Sequence, residues 1–569
     1  TTSGDGTWKY FVYDQAGNQT LMVQSVGADL ANYSLAGLLY TFWGASNGTG
    51  VASASPASGV VATLTRYDGR NQAIEVREPQ RQLSASPTLV DLKTSRVYNA
   101  FGEVIQEVGA NGHAGTDGLG AIIDTLSVKY SYNTMGRLIK TESPEVAITL
   151  ENGVTQNARP TEHRYYDAAG RLTASRDANG NLTKMTLLAG TGYGGTQALA
   201  TSVTTADNAV VRSYYDIHGD ARRAEDQLYL ASAPTVHFTA QSFDRMGRLK
   251  QLNRSGGLIE YWEYDGLGQQ TKRWNNLYGN ALATNVERTI HDQQGRVIQH
   301  YAMGGDLTAY AYAWDPTIAT TGLGVFGGWT QTTTYANSKT LTEKTDLFGR
   351  ATYKSDLGGH LTNFTYDKAG RLTQRSGGDF ALNFAYLNTG RIDSVFTMTG
   401  TFVSLNWNRR GTSYGYDKVG NVLSEKLSQD GEASYTIPAW WEDISNIPGE
   451  PEYIHHPAEY VHYFINNPIT DSTASYDALG RLTTWAAAAI GTMPAASLSY
   501  QYDANGNIRR SVGAFRSLDA SGVASSYVNT QDYWYRFDSM NRVVTQKGML
   551  SGGAIVRGTQ GVDVFYDAA

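Results

Sequence analysis

One short motif, Tyr-Asp-x-x-Gly followed by Arg or Asn and an aliphatic residue, recurs along the whole chain of 569 residues. Its clearest copy is Tyr166-Asp167-Ala168-Ala169-Gly170-Arg171-Leu172, and the related Asp177-Ala178-Asn179-Gly180-Asn181 begins 10 residues after Asp167. Three copies stand in tandem at Asp346, Asp356 and Asp367. A repeat this regular constrains the architecture before any local motif does. Further copies contain Tyr13-Asp14, Tyr215-Asp216, Phe243-Asp244, Tyr264-Asp265, His291-Asp292, Tyr416-Asp417, Tyr476-Asp477 and Tyr502-Asp503.

Each copy predicts a tight β-hairpin. The Asp side chain can accept hydrogen bonds from backbone N–H groups two residues on, and the Gly can take a positive φ without a Cβ clash. The Tyr before the turn and the aliphatic residue after it favour strands and should face each other across the hairpin. The residues expected to form these turns include Tyr166, Asp167, Gly170, Asp177, Gly180, Asp367, Gly370, Asp417, Gly420, Asp477, Gly480, Asp503 and Gly506.

The composition agrees with many short strands. The chain has 61 Gly and 37 Tyr but only 13 Pro. No Pro-rich or Ser-rich linker interrupts the repeat, so residues 1–569 are expected to form one continuous unit. We therefore expect an all-β fold, a long antiparallel sheet of hairpins. The chain ends at Tyr566-Asp567-Ala568-Ala569, inside a copy of the motif, which indicates a fragment of a longer protein.

Charge and cysteine content narrow the function classes. The net charge is −7 and the sequence pI is about 5.8, which argues against a nucleic-acid surface. Cysteine is absent, so disulfides do not stabilise the fold. No apolar run approaches the length of a membrane span, about 18 residues. Nothing in the sequence indicates a cofactor.

The tandem pattern resembles YD repeats, also called Rhs repeats. These repeats occur in bacterial polymorphic toxins, in the B and C subunits of insecticidal Tc toxin complexes, and in animal teneurins. The resemblance covers essentially the whole chain and implies a spiralling sheet that forms a hollow shell, or part of one, around a C-terminal toxin domain. In that family self-cleavage often follows at a segment that ends the repeats. The Asp-Pro-x-Gly-Leu type of terminal motif is not found in this sequence.

Local motifs are better explained as turns and loops. Gly44-Ala45-Ser46-Asn47-Gly48 matches the hydrolase elbow, but the Gly- and Ser-rich sequence after it does not predict the required helix. The strings that begin at Asp177 and Asp503 suggest calcium loops. An EF-hand would need Glu at its twelfth position, where Leu188 and Ala514 stand. We interpret both strings as hairpin turns.

One segment, residues 434–470, departs from the repeat. Its core, residues 437–469, contains Trp440 and Trp441 and three of the ten His residues of the chain. Pro457 could begin a short helix over 457–465 that Pro468 would stop. In that helix His456, Glu459 and His462 would lie on one face and could hold a divalent metal. The alternatives are an aromatic plug that packs on the sheet, or a partner contact. The plug is favoured, and no metal is expected.

The sequence favours a non-enzymatic container wall that encloses a C-terminal toxin or effector passenger and protects it for delivery. Its partners would be that passenger or other toxin-complex subunits. The protein would be bacterial, and it would be secreted, or lie on the cell surface, or be held in the producer before delivery. One alternative is an extracellular recognition protein that binds glycans or a cell-surface partner. Another is a carbohydrate-active enzyme that uses the 437–469 segment as its site.

Overall fold

The fold is almost entirely β-structure. In the computed structural model 61% of the residues are in strands and 2% in helices, which confirms the predicted all-β class. The structure describes residues 9–25, 60–83, 86–115, 120–188, 200–230, 233–320, 324–367, 370–378, 380–387, 390–399, 407–437, 440–443, 453–456, 459–491, 493–518 and 523–566.

The described strands are numbered in chain order. The first group is β1 Lys9–Tyr13, β2 Gln19–Ser25, β3 Val60–Tyr67, β4 Ala73–Leu83, β5 Ser86–Tyr98, β6 Val104–Val108, β7 Val128–Tyr132, β8 Leu138–Glu142, β9 Val146–Thr149, β10 Thr155–Ala158, β11 Thr161–Tyr166, β12 Leu172–Arg176, β13 Leu182–Leu188, β14 Ala200–Thr204 and β15 Val210–Tyr215. The second group is β16 Ala221–Leu230, β17 Ala233–Phe243, β18 Leu249–Arg254, β19 Ile259–Tyr264, β20 Gln270–Asn275, β21 Glu287–His291, β22 Val297–Tyr301, β23 Leu307–Asp315, β24 Ala319–Thr320, β25 Gly324–Val325, β26 Gly328–Thr334, β27 Thr340–Asp346, β28 Ala351–Ser355, β29 Leu361–Tyr366 and β30 Leu372–Gly377.

The third group is β31 Phe380–Tyr386, β32 Ile392–Thr399, β33 Trp407–Tyr416, β34 Val422–Ile437, β35 Trp440–Asp443, β36 Tyr453–His456, β37 Glu459–Tyr476, β38 Leu482–Ala487, β39 Ala496–Tyr502, β40 Ile508–Phe515, β41 Asn529–Phe537, β42 Val543–Ser551, β43 Ala554–Val556 and β44 Val562–Asp563. Three short 3₁₀ helices lie in the described connections, at Ala110–Gly112, Asp124–Leu126 and Ala283–Asn285.

A single antiparallel sheet contains 38 of these strands, and it is not closed into a ring. Strands that follow each other along the chain pair with each other, so the sheet grows hairpin by hairpin. The six remaining strands form three small two-stranded sheets, β9 with β10, β24 with β25, and β35 with β36.

The turns lie along two rims of the sheet. Because successive strands are antiparallel, successive connections alternate between the two rims. Every hairpin that carries the Tyr-Asp motif turns at the same rim, which we call the Tyr-Asp rim. The turns at Asp177 and Asp356 each follow a Tyr-Asp-rim turn after one five-residue strand, so they lie on the opposite rim. Five residues of the turn, from Asp to Arg, and the five residues of the strand after it give the tandem offset of ten residues.

Each Tyr-Asp hairpin has the same register. Tyr166 pairs with Leu172 and Tyr366 pairs with Leu372, so the aromatic and aliphatic residues face each other across the two strands as predicted. The register shifts by one residue just before the Tyr in both hairpins. Such a bulge accompanies a hairpin turn that ends with a left-handed Gly.

Neighbouring hairpins on the Tyr-Asp rim are joined by an Arg–Tyr contact. The Arg248 guanidinium lies 4.8 Å from the ring centroid of Tyr264 in the next hairpin, and the Tyr264 hydroxyl donates to the carbonyl of Leu249 at 2.8 Å. An exposed cation–π contact contributes about 0.5–1 kcal/mol. The same pair of contacts joins Arg137, Tyr166 and Leu138; Arg296, Tyr312 and Val297; Arg350, Tyr366 and Ala351; Arg371, Tyr386 and Leu372; Arg391, Tyr416 and Ile392; and Arg481, Tyr502 and Leu482.

The predicted helix over 457–465 is wrong. The chain forms β36 at Tyr453–His456 and the long strand β37 from Glu459 onward, which pairs with β34 along most of its length. Pro468 does not stop an element, because it lies within β37 at a register shift against Ser428. A Pro at a bulge removes no regular ladder hydrogen bond, so the strand continues through it.

No helix among the described ranges has the length and apolar character needed to cross a membrane.

Candidate functional site

The Asp of each motif organises its turn. In the turn of Asp244, one carboxylate oxygen accepts the backbone N–H of Met246 at 2.9 Å and that of Arg248 at 3.0 Å. The other oxygen accepts the Arg248 side chain at 2.7 Å. The Arg248 side chain and these backbone N–H groups hold the pKa of the Asp244 carboxyl below its usual value. Gly247 closes the turn with φ +76°.

Arg and Asn after the turn Gly act differently beyond the turn. Both donate to the second carboxylate oxygen of the motif Asp, at 2.7 Å for Arg248 and 2.9 Å for Asn181. The guanidinium also stacks on a Tyr ring of the next hairpin, whereas the amide reaches the next turn only through a hydrogen bond, as Asn507 does with Asn541 at 3.0 Å. In three of the Asn copies, at Asp177, Asp417 and Asp503, that oxygen also accepts a hydrogen bond from a distant part of the chain.

Two identical turns, Asp177-Ala178-Asn179-Gly180-Asn181 and Asp503-Ala504-Asn505-Gly506-Asn507, contact each other reciprocally. The Asn179 amide donates to the Asp503 carboxylate at 3.0 Å, and the Asn505 amide donates to the Asp177 carboxylate at 2.6 Å. The backbone N–H of Asn179 also donates to the Asn505 side chain at 3.0 Å. The first turn lies on the opposite rim and the second on the Tyr-Asp rim. The sheet therefore coils until one rim meets the other, and we call this contact the seam.

Other turns extend the seam on both sides. The Arg542 guanidinium donates to the Asp207 carboxylate at 3.0 Å, and the Asn541 amide donates to Asp177 at 3.3 Å. Farther along, the Asn111 amide donates to Asp417 at 3.2 Å. Each of these contacts joins the opposite rim of the earlier coil to the Tyr-Asp rim of the later coil.

A buried ion pair supports the centre of the seam. The Arg509 guanidinium donates to the Asp503 carboxylate and to Glu151, at 3.3 Å in each case, and to the carbonyl of Tyr535 at 3.1 Å. Asp503 and Arg509 are buried. Removing one partner of a buried pair leaves an uncompensated charge, at a cost of about 3–5 kcal/mol.

Two open clefts flank the seam. One, of about 480 Å³, is lined by residues that include Glu151, Asn179 and Arg509. The other, of about 440 Å³, is lined by residues that include Glu162, Asp177 and Asn505. Amides, carboxylates and guanidinium groups line this region, and they are suited to binding two rims together through hydrogen bonds.

The structure places the predicted turn residues at the two rims. Asp177 and Gly180 lie on the opposite rim, whereas Tyr166, Asp167, Gly170, Asp367, Gly370, Asp417, Gly420, Asp477, Gly480, Asp503 and Gly506 lie on the Tyr-Asp rim. The turn Gly residues among them have φ between +75° and +95°. Among these residues, the Asp177 and Asp503 copies are brought together across the seam, and the Asp477 copy contacts its neighbour on the same rim through Arg481, which donates to the carbonyl of Asp503 at 3.2 Å. The two strings whose sequences suggest calcium loops, those that begin at Asp177 and Asp503, form hairpin turns.

Sequence reasoning missed the roles of Asn179, Asn505, Arg509 and Asn541. One signal was present in the sequence. The turns that begin at Asp177 and Asp503 are identical, and both have Asn where copies such as those at Asp167 and Asp244 have Arg.

The metal hypothesis for the 437–469 segment loses its geometric basis. His456 ends β36, paired with Trp440, while Glu459 and His462 belong to β37. The helical face on which the three residues were to meet therefore does not form. Within the described part of the chain, no group of three His, Cys, Asp or Glu residues is arranged to hold a metal ion. The enzyme alternative for this segment stays a prediction.

One Ser–His contact elsewhere has the residue types of a nucleophile and its base. Ser95 Oγ lies 3.4 Å from His113 Nε2, and burial lowers the pKa of the His113 imidazole. His113 is buried, and its Nδ1 has no hydrogen-bond partner among the described residues. Nucleophilic catalysis needs an exposed Ser and an oriented imidazole. Both side chains are buried, so the pair lacks the exposed Ser that this chemistry needs. The elbow-like string Gly44–Gly48 lies outside the described residues.

Comparisons with known proteins give structural neighbours only. No family model matches the chain, and no curated protein sequence matches it. A crystal structure of TcdB2-TccC3 without its hypervariable C-terminal region aligns over 96% of this chain at 12% identity, with a TM-score of 0.37. TcdB2-TccC3-Cdc42 aligns over 95% at 12% identity and a TM-score of 0.35. A Tc holotoxin pore of Photorhabdus luminescens aligns over 96% at 11% identity and a TM-score of 0.35. The chain spans 36–37% of the length of these three neighbours.

Proposed function

We propose that residues 1–569 form a continuous YD-repeat wall of a container that encloses a passenger polypeptide. The observation that carries this proposal is the seam. A sheet that coils until its rims bind each other separates an inner face from an outer face. The paired rims also leave fewer exposed edges for unwanted association.

The length of one coil of the sheet is consistent with an interior wide enough for a polypeptide. From the Asp177 turn to the Asp503 turn the sheet contains 23 strands among the described residues. At the usual spacing between neighbouring strands this gives a path of about 110 Å, or a coil about 35 Å across if it is round. Side chains would narrow that space by roughly 10 Å in total, which leaves room for an extended or partly folded chain.

The way the wall is stabilised also fits a container. Seven or more equivalent Arg–Tyr contacts join the hairpins, so enclosure depends on many similar units and on no single reactive group. The passenger would be a C-terminal toxin or effector, and other toxin-complex subunits would be partners. Such a protein would be secreted by a bacterium or held in the producer before delivery.

Protection of a passenger tests the proposal. The full chain is expressed with a protease-sensitive unstructured polypeptide fused after Ala569, and digestion is compared with that of the free polypeptide. We expect slower digestion of the fused polypeptide. The double variant Asn179→Asp/Asn505→Asp should restore rapid digestion, because it sets carboxylates against each other across the seam. Asn337→Asp, in an exposed turn outside the seam, is the control. Digestion at the free rate in the unmodified chain would contradict the proposal.

A second candidate function is recognition of glycans on a cell surface. Trp314 and Trp329 form an edge-to-face pair with ring centroids 5.4 Å apart, and both remain partly exposed. Exposed aromatic rings can stack on sugar rings. Binding to a glycan panel that is lost in Trp314→Ala and kept in Trp274→Ala would support this function, and no binding by the unmodified chain would contradict it.

A further inference from the structure

Asn-Gly pairs are concentrated at the seam. The described part of the chain contains four such pairs, which begin at Asn111, Asn152, Asn179 and Asn505. Three of the four Asn side chains donate across the seam to an Asp carboxylate, namely Asn111 to Asp417 at 3.2 Å, Asn179 to Asp503 at 3.0 Å and Asn505 to Asp177 at 2.6 Å. The donors that hold the two rims together thus belong to a dipeptide with a reactivity of its own.

An Asn-Gly pair can lose its side-chain amide without an enzyme. The main-chain nitrogen of the Gly gives up its proton to base and attacks the side-chain carbonyl carbon of the Asn. A new C–N bond closes a succinimide ring, the bond from that carbon to the side-chain nitrogen breaks, and this nitrogen leaves as ammonia. Water then opens the ring at either carbonyl, which gives Asp or isoaspartate. Gly favours the reaction because it has no Cβ to obstruct ring closure.

The attacking nitrogen has the same hydrogen bond in all four pairs. The Gly N–H donates to the carbonyl three residues earlier, at 2.9–3.1 Å, in the pairs that end at Gly112, Gly153, Gly180 and Gly506. Each turn must therefore open briefly before the ring can close, as exposed turns do. Among the described residues the Asn152 side chain bonds only within its own turn, where it accepts the Val154 N–H at 3.0 Å. Asn152 is thus an internal reference for the same reaction without a seam contact.

Water and hydroxide have access to the seam Asn residues. Asn111 and Asn179 are exposed, and Asn505 is half-buried. One of the two open clefts that flank the seam is lined by Asn179 and the other by Asn505. Asn505 is the most restrained of the three, because its amide also donates to Asn541 at 2.8 Å and its side-chain oxygen accepts the Asn179 N–H at 3.0 Å. It should therefore react more slowly than the other two.

We propose that Asn111, Asn179 and Asn505 are deamidation sites and that their reaction opens the seam. Each conversion replaces a donating NH₂ group by a carboxylate that faces the Asp it formerly bound, so a hydrogen bond becomes a repulsive contact. Isoaspartate also lengthens the main chain of the turn, which displaces the new carboxylate. Loss of ammonia is not reversed in water, so a seam opened in this way does not close again. The inference does not depend on a passenger.

Ageing of the purified full chain tests the proposal. The chain is incubated at neutral and at mildly alkaline pH, and peptide mapping by mass spectrometry measures Asp and isoaspartate at each Asn-Gly pair. We expect conversion at all four pairs, faster at alkaline pH, with Asn152 the fastest and Asn505 the slowest.

Hydrogen exchange in the separated products measures the effect on the seam. Conversion at Asn179 and Asn505 should speed exchange in both seam turns by about tenfold, because two hydrogen bonds become repulsive contacts. Conversion at Asn152 alone should leave exchange in these turns unchanged. The absence of conversion at all three seam positions, or unchanged exchange in the chain converted there, would overturn the proposal.

Glutamine variants separate deamidation from other effects of ageing. Asn111→Gln/Asn179→Gln/Asn505→Gln keeps the amides, and Gln closes the larger imide ring far more slowly. Its seam exchange should stay at the starting rate throughout the incubation, whereas the matched control Asn152→Gln should age like the unmodified chain. Equal loosening of the triple variant would overturn the proposal. If thermal unfolding shows that the triple variant does not fold, Asn179→Asp/Asn505→Asp replaces it, and seam exchange slower than in the aged chain would overturn the proposal.

Discussion

Asn505 donates a hydrogen bond of 2.6 Å to the carboxylate of Asp177, which lies 328 positions earlier in the chain. The reciprocal bond, from Asn179 to Asp503, has a length of 3.0 Å. Each Asp already binds the Asn of its own turn, so one carboxylate serves two turns from different coils. The seam is therefore built from the same Asp that forms the hairpin.

Replacing the amide donors by carboxylates tests this hydrogen-bond network. Asn179→Asp/Asn505→Asp replaces each donating amide by a carboxylate next to another carboxylate. We expect a loss of about 1–3 kcal/mol in the free energy of unfolding, since two hydrogen bonds become repulsive contacts. Hydrogen exchange should increase in both turns. Asn337→Asp should change neither quantity, and an equal effect of both substitutions would contradict the assigned seam.

Two glycines with the same φ allow the cost of backbone strain to be separated from the cost of a clash between a new Cβ and a neighbouring side chain. Gly170 and Gly247 both have φ +76°. A Cβ at Gly247 meets nothing within 4 Å, whereas a Cβ at Gly170 would overlap the Arg137 guanidinium. Gly247→Ala should cost about 1 kcal/mol from backbone strain, and Gly170→Ala more, because Arg137 must leave Tyr166. Ala168→Ser should be nearly neutral. Thermal unfolding measures all three, and equal effects would be incompatible with these contacts.

The Arg–Tyr contact predicts a coupling energy. In a double-mutant cycle, Arg248→Ala and Tyr264→Leu, which removes the ring, should be coupled by about 0.5–1 kcal/mol in the free energy of unfolding. Arg245 lies exposed in the same turn, so Arg245→Ala with Tyr264→Leu should be additive. Urea denaturation provides the values. Additivity in the first cycle would show that the stacking contributes nothing.

The lowered pKa values of the motif carboxyls predict how the stability of the fold changes as pH falls. The pKa of the carboxyl is lowered in the folded chain at Asp167, Asp244 and Asp292 by hydrogen bonds from their turns. Their contribution to stability is therefore present above the unfolded-state pKa, about 3.9, and is lost as pH falls through the lower folded-state pKa. Urea denaturation should give constant stability above about pH 5 and a decline below about pH 4. Asp292→Asn should reduce the slope of that decline.

The 437–469 segment should tolerate loss of its candidate ligands. The triple variant His456→Ala, Glu459→Ala and His462→Ala should keep the fold and the protection of a passenger, since β37 is stabilised by its pairing with β34. Thermal unfolding with and without added Zn²⁺ should show no difference for either protein. Metal-dependent stability lost in the triple variant would reverse this expectation.

The turns were predictable because their chemistry is local. Asp and Gly act within five consecutive residues, so the motif alone predicts the hairpin at Asp167 or Asp367. The seam was not predictable in this way, because its partners are more than 300 residues apart and only coiling brings them together. The helix over 457–465 was inferred from local proline positions, whereas pairing of β37 with β34 determines the structure there.

The seam fixes the number of strands in the intervening coil. Asp177 meets Asn505 only if the sheet between them contains the observed 23 strands. Adding one hairpin would move the later turns by about 10 Å along the rim, and each Asp would then face the wrong amide. Loops between strands can lengthen without this effect. Insertions and deletions that preserve assembly should therefore fall within loops, or should add or remove strands so that the turns of the two rims again face their partners. The seam thus acts as an internal measure of the length of the sheet.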